Sequence, residues 1–243
     1  MILMIRKHIE SKRFSKNPFW KSIVISKDCG WYAFHVFPRR VRFRILQFSS
    51  HLRHRVPHKH TKKFHSISFC ITCMGRLSHI KKTLKANIEK NKNYPKAEYI
   101  LVDYNSQDGL KEWVFTHMKK YIKTGVLKYY QYKKPTHFHH AQAKNIAHHY
   151  ATGEIVCNVD ADDYIEHDFA HYINVIANRK KKFIGSIRGK KHPLNLSNVG
   201  GVIFLRKKDF SSLGGYDEKF SGWGHEDNDL YKRGIRLGLI PVS

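Results

Sequence analysis

The chain is short of acid: 243 residues carry 19 Asp+Glu against 45 Lys+Arg, a formal net charge of +26. An imbalance that large implies an anionic partner such as nucleic acid, an acidic membrane surface or a phosphorylated substrate. Long apolar runs are also missing. No stretch approaches the ~20 residues that span a bilayer. The opening "MILMI" is cut off by Arg6 and Lys7, too soon for a signal-peptide core. The expected location is therefore cytoplasmic, on the side where the chain is made. Cysteine is scarce. Of Cys29, Cys70, Cys73 and Cys157, only the middle pair forms a CxxC, and no second pair lies close enough to complete a structural zinc site. Core thiols in a reducing compartment are the better account. Internal repeats are absent, as is the phosphate-cradling GxxxxGK(S/T). The glycine pairs at 200–201 and 214–215 mark turns and fit no dinucleotide fingerprint.

What is present divides near residue 62. Before it, bases dominate and only Glu10 and Asp28 oppose them. "FPRRVRFRILQF" alternates bulky apolar residues with arginines at a strand-like period, and "HLRHRVPHKHTKK" has no apolar face and reads as a linker. Residues 1–62 form a basic extension whose Phe, Trp and Tyr mixed with Lys and Arg suit an anionic membrane surface.

Residues 63–243 have a different pattern, in which short apolar runs alternate with helical spacing. "SISFCIT" and "AEYILVDY" read as strands. "LSHIKKTLKANIEKN" places Leu77, Ile80, Leu84 and Ile88 on one helix face. "GLKEWVFTHMKKYI" is a helix, "VLKYYQY" a strand and "AQAKNIAHHYA" a helix. "EIVCNVDADD" reads as a strand ending in acids, and "HDFAHYINVIAN" as a helix. This alternation predicts an α/β domain with a largely parallel sheet. Ligands of such sheets gather at the carboxyl ends of the strands, which is where the acids of this chain fall.

Three acidic stretches follow. Asp103 closes "YILVD" and is a candidate for hydrogen bonds to a base or ribose, whereas Ser106 and Asp108 read as the start of a helix. "NVDADDY" carries Asp160, Asp162 and Asp163 within four residues. In extended form the first two point the same way and could hold Mg²⁺ or Mn²⁺ through oxygen, with substrate phosphates completing the shell. Asp163 suits the cap of the next helix. In "FSGWGHEDNDLYKRG", Glu226, Asp227 and Asp229 occupy a first helical turn, where the macrodipole favours acids. That accounts for Asp229 but not for "GWG", where glycines free the backbone around the ring of Trp223. A ring beside a carboxylate is a way to bind a sugar face, and the carboxylate can deprotonate a hydroxyl. Among 18 histidines, His225 stands out because it sits inside this motif.

"NVGGVIFLRKKDFSSLGGYDEKFSGWGHEDNDLYKRG" resembles the C-terminal signature of galactosyltransferase and chondroitin-polymerase type glycosyltransferases. The region upstream resembles family 2 glycosyltransferases of the GT-A fold, with "CITCMGR" at the first strand and nucleotide loop, and "LVDYNSQDG" at the strand ending in a nucleotide-binding Asp. "AQAKNIAHHYATGEIVCNVDADD" matches the helix with its (Arg/Lys)-Asn pair and the DxD strand. The likeness runs over residues 65–238. It implies that Thr72 and Arg76 line the nucleotide pocket, that Asp103 contacts the base or ribose, and that Lys144 assists there or at a phosphate. Asp160 would approach ribose and metal, and Asp162 would be the main ligand of Mn²⁺ or Mg²⁺. Trp223 would stack on the acceptor sugar or flank the donor. Asp227 aligns with the catalytic base, and Glu226 with the acid that orients the acceptor.

The expected function is metal-dependent, inverting transfer from a UDP-sugar to a glycan or lipid-linked acceptor, at the inner face of a membrane and without nucleic acid as partner. Related enzymes commonly take a further metal ligand, a histidine, from beyond the helix after the base. This chain closes on "LGLIPVS", so the expectation is that the ligand is missing, that His225 replaces it, or that water and diphosphate suffice. Two other readings stay open on sequence grounds: a non-catalytic nucleotide-sugar-binding form of the fold, and a basic nucleic-acid-binding protein.

Overall fold

The computed structural model describes residues 63–187, 201–220 and 224–242. The basic extension expected over residues 1–62 lies outside the described residues. The apolar runs of the domain assemble into one seven-stranded sheet ordered β3-β2-β1-β4-β6-β5-β7. β1 (Ile67–Cys73), β2 (Ala97–Asp103), β3 (Leu127–Gln131) and β4 (Ile155–Asn158) run parallel. β6 (Ile203–Arg206) is antiparallel to β4 and to β5 (Phe183–Ser186), and β7 (Ile240–Val242) runs parallel to β5 at the edge.

Helices cover both faces. α1 (Leu77–Lys90), α2 (Leu110–His117), α3 (Lys119–Lys123) and α5 (Phe169–Arg179) contribute to one core cluster. α4 (His140–Tyr150), α6 (Lys207–Ser212) and α7 (Glu226–Arg236) contribute to the other. Strand residues alternate between the clusters: Tyr99 and Leu101 face the first, Ile100 and Val102 the second. With both faces covered, parallel strands read as continuous apolar runs. Cys70, Cys73 and Cys157 are free, buried thiols, as their apolar settings predicted.

Register places the site. Cys73 lies opposite Asp103, and Asp103 opposite Gln131, so β1, β2 and β3 end level. β4 stops earlier, with Asn158 opposite Cys70. The acids that follow are therefore not an extended strand end, as the sequence suggested, but a turn in which the Asp163 N–H donates to the Asp160 carbonyl at 3.0 Å. The helix expected over "GLKEWVFTHMKKYI" is likewise two helices. It breaks at Met118, which leaves helical geometry and is fully buried.

The predicted face of α1 packs on the core: Ile80, Leu84 and Ile88 are buried and Leu77 is partly buried against them. Leu84→Ala should destabilise the domain by about 2–5 kcal/mol through lost burial and a residual cavity. Urea denaturation should show this as a lowered midpoint at unchanged slope.

Candidate active site

Two loops meet at the ends of β1 and β2. Asp103 is fully buried. Its Oδ1 accepts from the Ser106 N–H at 2.7 Å and its Oδ2 from the Tyr129 hydroxyl at 2.5 Å. Both oxygens of this predicted nucleotide contact thus already have partners within the protein, which fix the carboxylate plane. Ser106 and Asp108 do not cap their own helix. Ser106 Oγ accepts from the Gly75 N–H at 3.1 Å, and Asp108 Oδ2 accepts from the Leu77 N–H at 2.7 Å. The β2–α2 turn therefore caps α1, whose first N–H groups have no intrahelical partner. This clasp shapes the β1–α1 loop. Thr72 is buried next to its start, and Arg76 projects from its end, with Nη1 3.7 Å from Asp162 Oδ2.

The acidic turn after β4 is suspended from α1. Thr83, Asn87 and Asn91 recur every fourth residue on one helix face. Thr83 Oγ1 donates to the Ala161 carbonyl at 2.7 Å. Asn87 donates to the Asp163 carbonyl at 2.9 Å and accepts from the Ile165 N–H at 3.0 Å. Asn91 donates to the Glu166 carbonyl at 3.2 Å and accepts from the Ala170 N–H at 2.9 Å. A loop with few internal bonds is thereby fixed by side chains.

Within it, Asn158 Nδ2 donates to Asp160 Oδ1 at 3.0 Å. A Cβ on Gly201 would stand 1.9 Å from Asp160 Oδ2, so only glycine there leaves that carboxylate its place. Burial, then the neighbouring charges of Asp160 and Asp162, push the Asp163 pKa up to about 6.

The Asp160 and Asp162 side chains are 39% and 49% exposed, and their oxygens are the donors that hard divalent cations prefer. This pair of carboxylates fits such an ion in donor type. Among the described residues, no three His, Cys, Asp or Glu side chains converge on a cation position. The exposed His225, at the head of α7, is accordingly not gathered with these two aspartates.

Glu226 and Asp227 open α7 as predicted and are buried. Their partner is Lys144 of α4. Its Nζ lies 2.8 Å from Glu226 Oε1 and 2.8 Å from each oxygen of Asp227. Asp160 Oδ1 is 3.6 Å away. Burial pushes the Asp227 pKa up to about 7, with Lys144 pulling it down and Asp160 and Glu226 adding to the rise. Burial also raises Glu226, but Lys144 more than offsets this and leaves it below the usual carboxylate range. Asp229 serves the helix, accepting from Arg233 Nε at 2.6 Å. Trp223 lies outside the described residues. Gly224, which follows it, has φ +99, a conformation that favours glycine.

Sequence reasoning missed two groups here. Asn145 clamps the loop before the motif: Nδ2 donates to the Tyr216 carbonyl at 2.9 Å and Oδ1 accepts from the Tyr216 N–H at 2.8 Å. His140 Nδ1 is buried without a hydrogen-bond partner among the described residues, and burial pulls its pKa down. One histidine among 18 gives no local signal. The alternation of Thr83, Asn87 and Asn91 with the apolar stripe of α1 did carry one.

A parallel sheet joined to one reversed strand, with acids at its carboxyl ends, defines a GT-A fold. Family comparisons agree. The chain belongs to glycosyl transferase family 2, whose model matches residues 68–210. A second model, described as the N-terminal domain of galactosyltransferase, matches residues 187–240. A curated relative, xylosylprotein 4-beta-galactosyltransferase of Caenorhabditis elegans, is 43% identical over 47 residues, 18% of this chain and 16% of that protein. The fold is shared with the mannosyltransferase PcManGT from Pyrobaculum calidifontis, solved with GDP-Man and Mn²⁺ (TM-score 0.63, 19% identity, 88% of this chain and 66% of that one). It is shared too with S. aureus TarS in complex with UDP-GlcNAc (TM-score 0.61, 19% identity, 73% and 56%). The chain thus spans less than two thirds of each of these proteins.

The suspension of the acidic turn can be tested by Asn87→Ala. The buried Ile165 N–H and the partly buried Asp163 carbonyl would lose their partner, at a cost of about 1–3 kcal/mol. Thermal unfolding should register the loss, and limited proteolysis should open new cuts within residues 160–168.

Proposed function

We propose that this chain is an inverting, metal-dependent glycosyltransferase that moves a sugar from a UDP-sugar to a hydroxyl of a glycan or lipid-linked acceptor, in surface polysaccharide or lipopolysaccharide synthesis. The observation that carries the reading is the convergence of Asp160, Glu226 and Asp227 at one end of the sheet in a family 2 chain. The donors bound in the similar structures, UDP-GlcNAc and GDP-Man, support a nucleotide-sugar. The TarS complex with UDP-GlcNAc supports UDP as the nucleotide, and the galactosyltransferase model, which spans residues 187–240, supports the reading of "GWGHEDND" as the acceptor motif.

Each residue has a part. Thr72, Arg76 and Asp103 line the nucleotide side. Asp160 and Asp162 would hold Mn²⁺ or Mg²⁺, a Lewis acid that offsets the charge of a diphosphate leaving group. Trp223 offers its ring to the acceptor sugar, and Glu226 orients an acceptor hydroxyl. Asp227 takes the proton of that hydroxyl as it attacks the anomeric carbon from the face opposite the leaving group. A buried carboxyl that titrates near neutrality suits this step, since the best general base has its pKa close to the working pH.

A UDP-sugar screen with and without Mn²⁺ should find transfer only with metal. Asp227→Asn should lower turnover by about 10²–10⁴ with UDP affinity nearly unchanged. Undiminished turnover in that variant removes the assignment. For the unaltered chain, kcat/KM should fall as pH drops below about 7, because protonated Asp227 (pKa about 7) cannot accept a proton.

No helix among the described residues is long and apolar enough to cross a membrane. The basic residues 1–62 are proposed to dock on an anionic bilayer, near lipid-linked acceptors. Vesicles containing phosphatidylglycerol should sediment the full chain at low salt and release it at high salt. A chain lacking residues 1–60 should stay in the supernatant, and undiminished sedimentation would count against docking.

A further inference from the structure

Lys144 reads from sequence as a donor-side residue, but its surroundings argue otherwise. An ammonium has three N–H donors and no acceptor. Three oxygens, Glu226 Oε1 and both of Asp227, stand at 2.8 Å from Lys144 Nζ, so every donor has a carboxylate partner. The side chain is 2% exposed. Below the ammonium lies the Tyr216 ring, its centroid 5.3 Å away, within cation–π range. That ring is itself fixed, because Asn145, the next residue of α4, clamps the Tyr216 backbone in both directions. The stem, the platform and the acids thus form one rigid unit, with no N–H left for a phosphate.

We propose that Lys144 is a positioning residue that locks Glu226 and Asp227 in one orientation toward the acceptor, and not a ligand of the donor diphosphate. The proposal rests on the reading of Asp227 as the base. Each oxygen of an ionised carboxylate has two acceptor sites. Asp227 can therefore keep its bonds to Lys144 and still accept from an acceptor hydroxyl. The ammonium fixes the carboxylate plane, and so fixes the direction from which that hydroxyl approaches. A misplacement of about 1 Å at a reacting group can cost 10²-fold in rate. Lys144 also stands between Asp227 and Asp160, at 3.6 Å from the latter, and separates the charge of the acceptor side from that of the metal side.

The test compares Lys144→Met, Lys144→Gln, Asp227→Asn and the double variant Lys144→Met/Asp227→Asn, each checked for folding by circular dichroism and thermal unfolding. Lys144→Met leaves two buried carboxylates without their cation and is the variant most prone to misfold. Lys144→Gln keeps an N–H donor, and it replaces Lys144→Met throughout, including in the double variant, if that protein is unfolded. Lys144→Met should lose on the order of 10² in turnover at saturating donor, with calorimetric affinity for UDP plus Mn²⁺ kept within about threefold. Lys144→Gln should retain part of the turnover. The double variant should be no slower than Asp227→Asn alone, since residues that act as a unit are non-additive. Tenfold weaker UDP binding with turnover preserved at saturation would make Lys144 a donor ligand and overturn the proposal, as would losses that add in the double variant. If Asp227→Asn itself keeps its turnover, the base assignment fails. The UDP affinity of Lys144→Gln still decides which side of the site Lys144 serves.

Discussion

Burial alone would lower the Lys144 pKa, yet Asp160, Asp227 and Glu226 more than offset that penalty and raise it. The dependence is mutual. Without the ammonium, two buried carboxylates of α7 would face each other uncompensated, a situation that proteins avoid because isolated buried charge is costly. This pairing joins α4 to α7 across the same face of the sheet, while Asp160 arrives from the end of β4. Elements far apart in sequence are thereby brought to one point. With Asp160, Glu226 and Asp227 ionised, three negative charges against one positive leave the cluster short of cation, in a protein that otherwise has an excess of it.

The loops at the ends of β1 and β2 are held by hydrogen bonds, most of them to carboxylates. Ser106 ties the neighbouring loop at Gly75, and Asp108 caps a helix that is not its own. Asp103 is oriented by a backbone N–H and by a tyrosine of the neighbouring strand. These bonds leave the loop backbone little freedom before any ligand binds, which is the kind of preorganisation that lowers the entropic cost of binding.

The parallel core was legible in the sequence because strands covered on both faces are continuous apolar runs, and α1 because Ile80, Leu84 and Ile88 repeat at helical spacing. β5 and β6 were not legible. Four residues each are too few to show a period, and their reversed pairing is fixed by tertiary contacts. The acids do fall at strand ends and at the head of α7, as the sequence indicated, but their partners were not legible. Asp108 looked like a cap for the helix beside it, and only the fold shows that it reaches Leu77. The family resemblance implied that Lys144 assists at the base, ribose or a phosphate. Its burial depends on α7, more than 80 residues later, which local pattern cannot reveal. Trp223 and the basic extension remain legible only as sequence.

α1 also works as a ruler. Its apolar face packs on the sheet, and a second face carries Thr83, Asn87 and Asn91, which hold the acidic turn at three successive heights. Both faces keep their phase because an α-helix advances about 100° per residue. A substitution at one of these positions removes one tie and leaves the others. An inserted or deleted residue early in the helix would instead rotate all three ties away from the turn, or else pull the apolar face off the sheet. The fold therefore tolerates a change of chemistry along α1 more readily than a change of its length.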